Sequence, residues 1–246
     1  MTAPAPGRGR GWGASRAVPR AVFAAVCLSW AAPSPAEVGA AVSLFSDARF
    51  RGYSLSAGHP VGVLDVSYDH PDGFYGAASL SALASSNGGI EPLGAQLSGG
   101  YAKRLGRVVT LDVGAVHSRY TRHSSRGHAT SYTEVYAGLS HGILTSRVYF
   151  SPHYFGRGSK AVYGELDAAV SPVRKLRLSG HVGLLVPIDY GVTRDRAQYD
   201  WRLGAAREIG PATLHLIATG GGPDRDYYAN RPRKRTALIV GLSLAL

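Results

Sequence analysis

From Val38 onward, large apolar residues fall on alternate positions, with polar or small residues between them. Val38, Ala40, Val42 and Leu44 form one series, Leu64, Val66 and Tyr68 a second, and Val109, Leu111 and Val113 a third. Val135, Ala137 and Leu139 follow, then Val162, Leu166 and Val170, then Leu176, Leu178, Val182 and Leu184, then Tyr199, Trp201 and Leu203. The chain ends on Leu238, Val240, Leu242, Leu244 and Leu246. A period of two belongs to strands, whose successive side chains point to opposite faces; a helix repeats its apolar residues at three and four. No stripe of helical spacing stands out after residue 36, so the pattern predicts an all-β chain.

The connections fall into two alternating classes. "HPDG" (70–73), "LGR" (105–107), "HGI" (141–143), "SPVRK" (171–175) and "IGP" (209–211) are short and carry the Gly or Pro of a tight turn. Between them lie longer polar stretches: "RGYSLSAGH", "ASSNGGIEP", "SRYTRHSSRGHATS", "PHYFGRGS", "VPIDYGVTRDRA" and "GGGPDRDYYANRPRK". Five short turns and six long loops join twelve strands, and both ends fall on the short-turn side. An even strand number with tight turns on one rim and long loops on the other describes a transmembrane up-and-down antiparallel β-barrel, with short periplasmic turns and long outer loops. The apolar last strand then closes the barrel by pairing with the first.

In lipid the opposite positions of these strands face a lumen. They carry Asp47, Arg49, Asp65, Asp112, Glu134, Arg147, Glu165, Asp167, Arg177, Asp200 and Arg202, the candidate pore-lining residues, together with His181 and His215. Small residues recur there too, at Gly114, Ala169 and Gly204, and Tyr68, Tyr75, Tyr101, Tyr132, Tyr199 and Trp201 suit aromatic girdles at the two interfaces. A soluble sandwich or lipocalin-like barrel has the same alternation with its leucines inward, and the period is blind to that inversion. The regular alternation of short and long connections favours the membrane barrel. So does the apolar last strand, which would be an aggregation hazard in water.

Residues 1–20 hold four arginines and no acidic residue; "AVFAAVCLSWAA" and "PSPAEVG" follow. This is the pattern of an export signal, cleaved after Ala36, with residues 37–246 forming a single outer-membrane barrel domain. Cys27 lies in the leader, so the mature chain has no thiol for a disulfide, a zinc cluster or a nucleophile. The net charge of +11 points to anionic headgroups or acidic solutes as partners, and the compartment disfavours nucleic acid. The outer basic loops, Arg119, Arg122 and Arg126 in one and Arg225, Arg231, Arg233, Lys234 and Arg235 in another, suit lipopolysaccharide phosphates or a funnel for anions.

Catalytic motifs are weak. "GLSHG" (138–142) matches the nucleophile-elbow pattern with Ser140, but it leads from strand to strand, whereas the elbow needs a following helix. His117, His141, His181 and His215 nominate no triad. His117, His123 and His128 stand among arginines that would repel a metal. No catalytic residue, metal or cofactor is expected.

"SLFSDARFRGYSLS" (43–56), "SYTEVYAGLSHG" (131–142) and "SPHYFG" (151–156) resemble segments of the Gcw_chp family of proteobacterial outer-membrane proteins, the TorF family porins. The first motif stands here as Ser46, Asp47, Arg49, Phe50, Arg51, Gly52 and Ser54. The resemblance implies an exported barrel of porin type with no assigned catalytic residues and no settled solute. It departs at the end of the chain, where Leu246 replaces the Phe that the barrel assembly machinery favours. The expected function is a passive channel for small polar or charged solutes, surrounded by outer-membrane lipids. The alternatives are a non-conducting structural or adhesive barrel, favoured if lumen Arg and Asp residues pair and plug it, and a membrane-embedded lipid-modifying hydrolase.

Overall fold

The computed structural model describes residues 36–85, 88–121, 130–155, 160–188, 197–222 and 236–246. Twelve antiparallel staves close into one barrel. They are β1 (Glu37–Phe45), β4 (Val61–Asp69), β5 (Phe74–Ala84), β6 (Ile90–Leu105), β7 (Val109–Tyr120), β8 (Thr130–His141), β9 (Leu144–Ser151), β10 (Ala161–Val173), β11 (Leu176–Pro187), β12 (Gln198–Ile209), β13 (Ala212–Gly222) and β14 (Thr236–Ala245). The short strands β2 (Arg49–Phe50) and β3 (Tyr53–Ser54) form a separate hairpin inside the first long connection. Staves adjacent in sequence are adjacent in space. β14 closes on β1 with Ala41 opposite Ala245 and Phe45 opposite Gly241. Closure leaves no open edge, a requirement in lipid, where no water can satisfy unpaired backbone groups.

The five short connections sit where turn chemistry places them, and Gly73, Gly106, Gly142 and Gly210 take the left-handed backbone there. The fifth differs in detail. Lys175 (φ 66°) takes that role, and β10 runs on to Val173 through an irregularity after Val170. Pro172, which has no N–H to give the ladder, lies within that irregular stretch and not in the turn itself.

The two faces of the staves resolve the inversion that periodicity leaves open. The leucines and valines of the alternating series are outside: Leu238 is 65% exposed and Leu203 61%, and Leu216 on β13 joins them at 48%. Asp112, Glu134, Arg147 and Asp200 are buried inside. An apolar outer belt around a charged interior is the cross-section of a membrane-spanning barrel, the reverse of a soluble one. Among the described residues no helix is long and apolar enough to cross a membrane; the strands do the crossing. The aromatic assignment splits. Tyr68 and Tyr199 face outward, as do Phe74 and Tyr101, whose rings lie 4.9 Å apart, but Tyr132 is buried inside and Tyr75 turns inward to Asp112. Strand parity decides this. Tyr75 shares its face with Ser79, whereas Tyr68 shares its face with Leu64 and Val66.

Candidate functional site

The lumen is organised by two devices: an inward-folded hairpin and a ladder of charges across the wall. The first connection, read from sequence as an outer loop, folds into the barrel. Phe50 pairs with Tyr53, and Arg51 (φ 46°) and Gly52 (φ 81°) make the two-residue turn between them, both left-handed as a type I′ hairpin requires. Asp47 braces this hairpin from below. Its carboxylate accepts hydrogen bonds from Ser54 Oγ (2.6 Å), Ser56 Oγ (2.8 Å), Arg49 Nε (2.9 Å) and the Gly58 N–H (3.3 Å). Ser46 ties the base to β14 by donating its N–H to the Val240 carbonyl and accepting the Val240 N–H on Oγ. The motif Ser46-Asp47-x-Arg49-Phe50-Arg51-Gly52-x-Ser54 is therefore a structural prescription for this element.

Arg51 docks the tip. Its guanidinium donates to both Glu134 oxygens on β8 (3.0 and 2.8 Å) and lies 3.8 Å from the Tyr163 ring centre on β10, with Phe50 at 4.8 Å and Tyr154 at 5.3 Å. Both partners are buried, with 7% and 5% of their side chains exposed. Losing one partner of such a pair costs about 3–5 kcal/mol, because the other charge is left without compensation. The cation–π contact adds about 2 kcal/mol when desolvated. Holding a non-glycine residue left-handed costs about 1–2 kcal/mol, a strain offset by this docking. Phe50 and Leu55 pack against the buried cluster that includes Val116, Tyr120 and Tyr132, while Leu55, Ala48 and Phe45 pack against that of Val61, Val63, Leu83 and Leu93. Gly52 comes so close to β12 and β13 that an added Cβ would stand 3.0 Å from Gly221 Cα and 3.2 Å from Asp200 Cβ. The hairpin thus crosses the lumen from wall to wall.

Register builds the charge ladder. Asp112, Gly138, Arg147 and Glu165 lie side by side on β7 to β10. Arg147 leans across Gly138 and donates through Nε and Nη2 to Asp112 (3.0 Å each), with Glu165 at 3.8 Å on its other flank. A Cβ at position 138 would meet Arg147 Cγ at 2.6 Å, so this rung needs a glycine. Tyr75 bonds both Asp112 and Tyr136, and Tyr149 donates to Glu165 at 3.0 Å. On the next staves His181 Nδ1 faces Asp167 (2.9 Å) and Nε2 faces Asp200 (3.0 Å), with Arg202 3.6 Å from Asp167 and Tyr163 donating to Asp200. Glu165, Asp167 and His181 offer ligand atoms within 4.8 Å of one another, the one metal-like group among the described residues. Both ring nitrogens of His181 already face carboxylates, however, and Arg147 and Arg202 stand beside the group, so it is an ion-pair network.

Of the candidate lining residues, Asp65, Asp112, Glu134, Arg147, Glu165, Asp167, Arg177, Asp200 and Arg202 lie on staves, and Asp47 and Arg49 lie on the hairpin connection. Arg49 sits within β2, bonded to Asp47 and not set into the wall. Arg119, at the outer end of β7, is exposed on the outer face; Arg122, Arg126, Arg225, Arg231, Arg233, Lys234 and Arg235 fall outside the described residues, as do His123, His128 and residues 1–35 of the expected leader. Ser140 bonds Thr145 across the β8–β9 turn, so "GLSHG" runs from strand to strand. Sequence reading missed Arg51 as a lumen residue, and Tyr75, Tyr136, Tyr149 and Tyr163 as partners of the charges. The signal for the first was present: Arg-Gly between two aromatics is a hairpin turn, and such aromatics are out of place in a solvated loop.

The family described as "Bacterial protein of unknown function (Gcw_chp)" matches residues 30–237. No curated protein matches the chain. Similar solved structures include the NanC porin, with a TM-score of 0.56 at 13% identity over 84% of this chain and 100% of that one. The KdgM porin gives 0.53 at 9% identity, with 85% and 99% covered. The KdgM porin in complex with disordered oligogalacturonate gives 0.52 at 9% identity, again with 85% and 99% covered. At these identities the likeness is one of fold.

Proposed function

Because the chain belongs to the Gcw_chp family, whose description assigns no function, we propose from the geometry that it is a porin-type passive channel of the outer membrane for small polar or charged solutes, its throat formed by the hairpin of residues 46–58. The single observation that carries this reading is the combination of an apolar outer belt with a lumen lined by polar and charged groups of both signs. Such an interior is of use to a solute that sheds part of its hydration on the way through. Lipid surrounds the belt, and Arg119, exposed on the outer face at the end of β7, suits a lipopolysaccharide phosphate. Assembly follows the outer-membrane route, with the expected leader removed after Ala36. No step in this function calls on a catalytic side chain.

Liposome swelling tests the proposal. Proteoliposomes should swell in small sugars and lose the response as sugar size rises; swelling no faster than protein-free liposomes contradicts it. A second reading, a closed structural barrel, is favoured by one observation: the hairpin reaches β8 and β10 through Arg51 and approaches β12 and β13 at Gly52. That reading predicts a folded barrel with no solute flux.

A further inference from the structure

Resting on the channel reading, we infer that Asp65 makes the lumen selective for small cations, ammonium compounds among them. Six other lumen carboxylates each touch a basic side chain: Asp47 touches Arg49, Glu134 touches Arg51, Asp112 and Glu165 share Arg147, and Asp167 and Asp200 flank His181. Asp65 has none. It is 9% exposed, and its Oδ2 has no hydrogen-bond partner.

The surrounding wall offers a hydrogen bond from the Ser79 side chain but no counter-charge. Ala41 on β1 and Ser79 on β5 are its register partners, and the neighbouring inward positions are Ser43, paired with Ser243, and Ser81. His215, two staves beyond β1, is engaged by Ser243. The charge ladder on β7 to β12 pairs its own charges, and the field of a pair falls off quickly beyond its own separation. A lone carboxylate keeps its field, and one held away from bulk water gains most from a counter-charge that arrives with the solute. A cation passing Asp65 supplies that charge, while an anion meets repulsion. The basic character of the whole chain (+11) hides this acidic lumen site.

The test is the reversal potential of the refolded protein in planar bilayers under a potassium chloride gradient, for the native chain, D65N, S79K and the exposed-turn control D72N. The native channel and D72N should prefer cations severalfold. D65N removes the charge, and S79K sets an ammonium beside it in register; both should bring the cation-to-anion permeability ratio close to one. S79K keeps the question answerable if D65N fails to fold. Ion flow without cation preference, or a preference unmoved in both folded variants, overturns the assignment of Asp65 and leaves the channel intact. Absence of ion flow in the native chain overturns the channel and the selectivity together.

Discussion

Arg51→Asn separates the hairpin's shape from its docking. Asn-Gly is a favoured type I′ pair, so the turn between Phe50 and Tyr53 persists and the left-handed strain at position 51 is relieved by about 1–2 kcal/mol. The docking contact is removed. Glu134, 4% exposed, loses both guanidinium hydrogen bonds, at a cost of about 3–5 kcal/mol. The net weakening of about 1–4 kcal/mol lowers the docked-to-released ratio roughly fivefold to a thousandfold. Trypsin reports the change, because Arg49 remains a cleavage site whose side chain is only 8% exposed in the docked hairpin. The variant should be cut after Arg49 much faster than the native chain, and its single-channel conductance should rise. A heat-modifiable R51N barrel with native trypsin protection and native conductance would refute the docking role.

Two further substitutions probe the wall. Gly138→Val sets side-chain carbon against Arg147 Cγ and the Ser146 carbonyl, so the Arg147–Asp112 rung breaks; the midpoint of heat-induced mobility change in detergent gels should fall markedly, whereas an unchanged midpoint would show the rung to be dispensable. Leu216→Arg places a guanidinium midway along β13 on the outer face and should destabilise the lipid-embedded barrel by about 2–4 kcal/mol in chemical unfolding from bilayers; a loss under 0.5 kcal/mol would mean that this face meets water.

Strand periodicity and turn chemistry are local, and for that reason the alternation from Val38 to Leu246, the five short turns and the twelve staves are legible in the sequence. The direction of each face is not local. Tyr75 and Tyr68 look alike as strand aromatics, and only their parity against serine or leucine neighbours separates lumen from girdle. Pairing between charges is less legible still, since Asp112 and Arg147 stand 35 residues apart and Arg51 and Glu134 83 apart, brought together by register and by an inward fold. The expectation that paired lumen charges would close the barrel treats those charges as the plug. The structure assigns that role differently: the ladder lies along the wall of β7 to β12, and the hairpin is what spans the lumen. The polarity of "RGYSLSAGH" suits a charged interior as well as it suits water, which is why sequence reading sends that segment outward.

Single-channel recording from the refolded native protein in a planar bilayer tests the central claim most directly. Discrete steps of small, ohmic conductance are predicted, set by a throat that the hairpin narrows. A barrel that inserts, shows heat-modifiable mobility and passes no ions would contradict the channel and leave a closed outer-membrane scaffold.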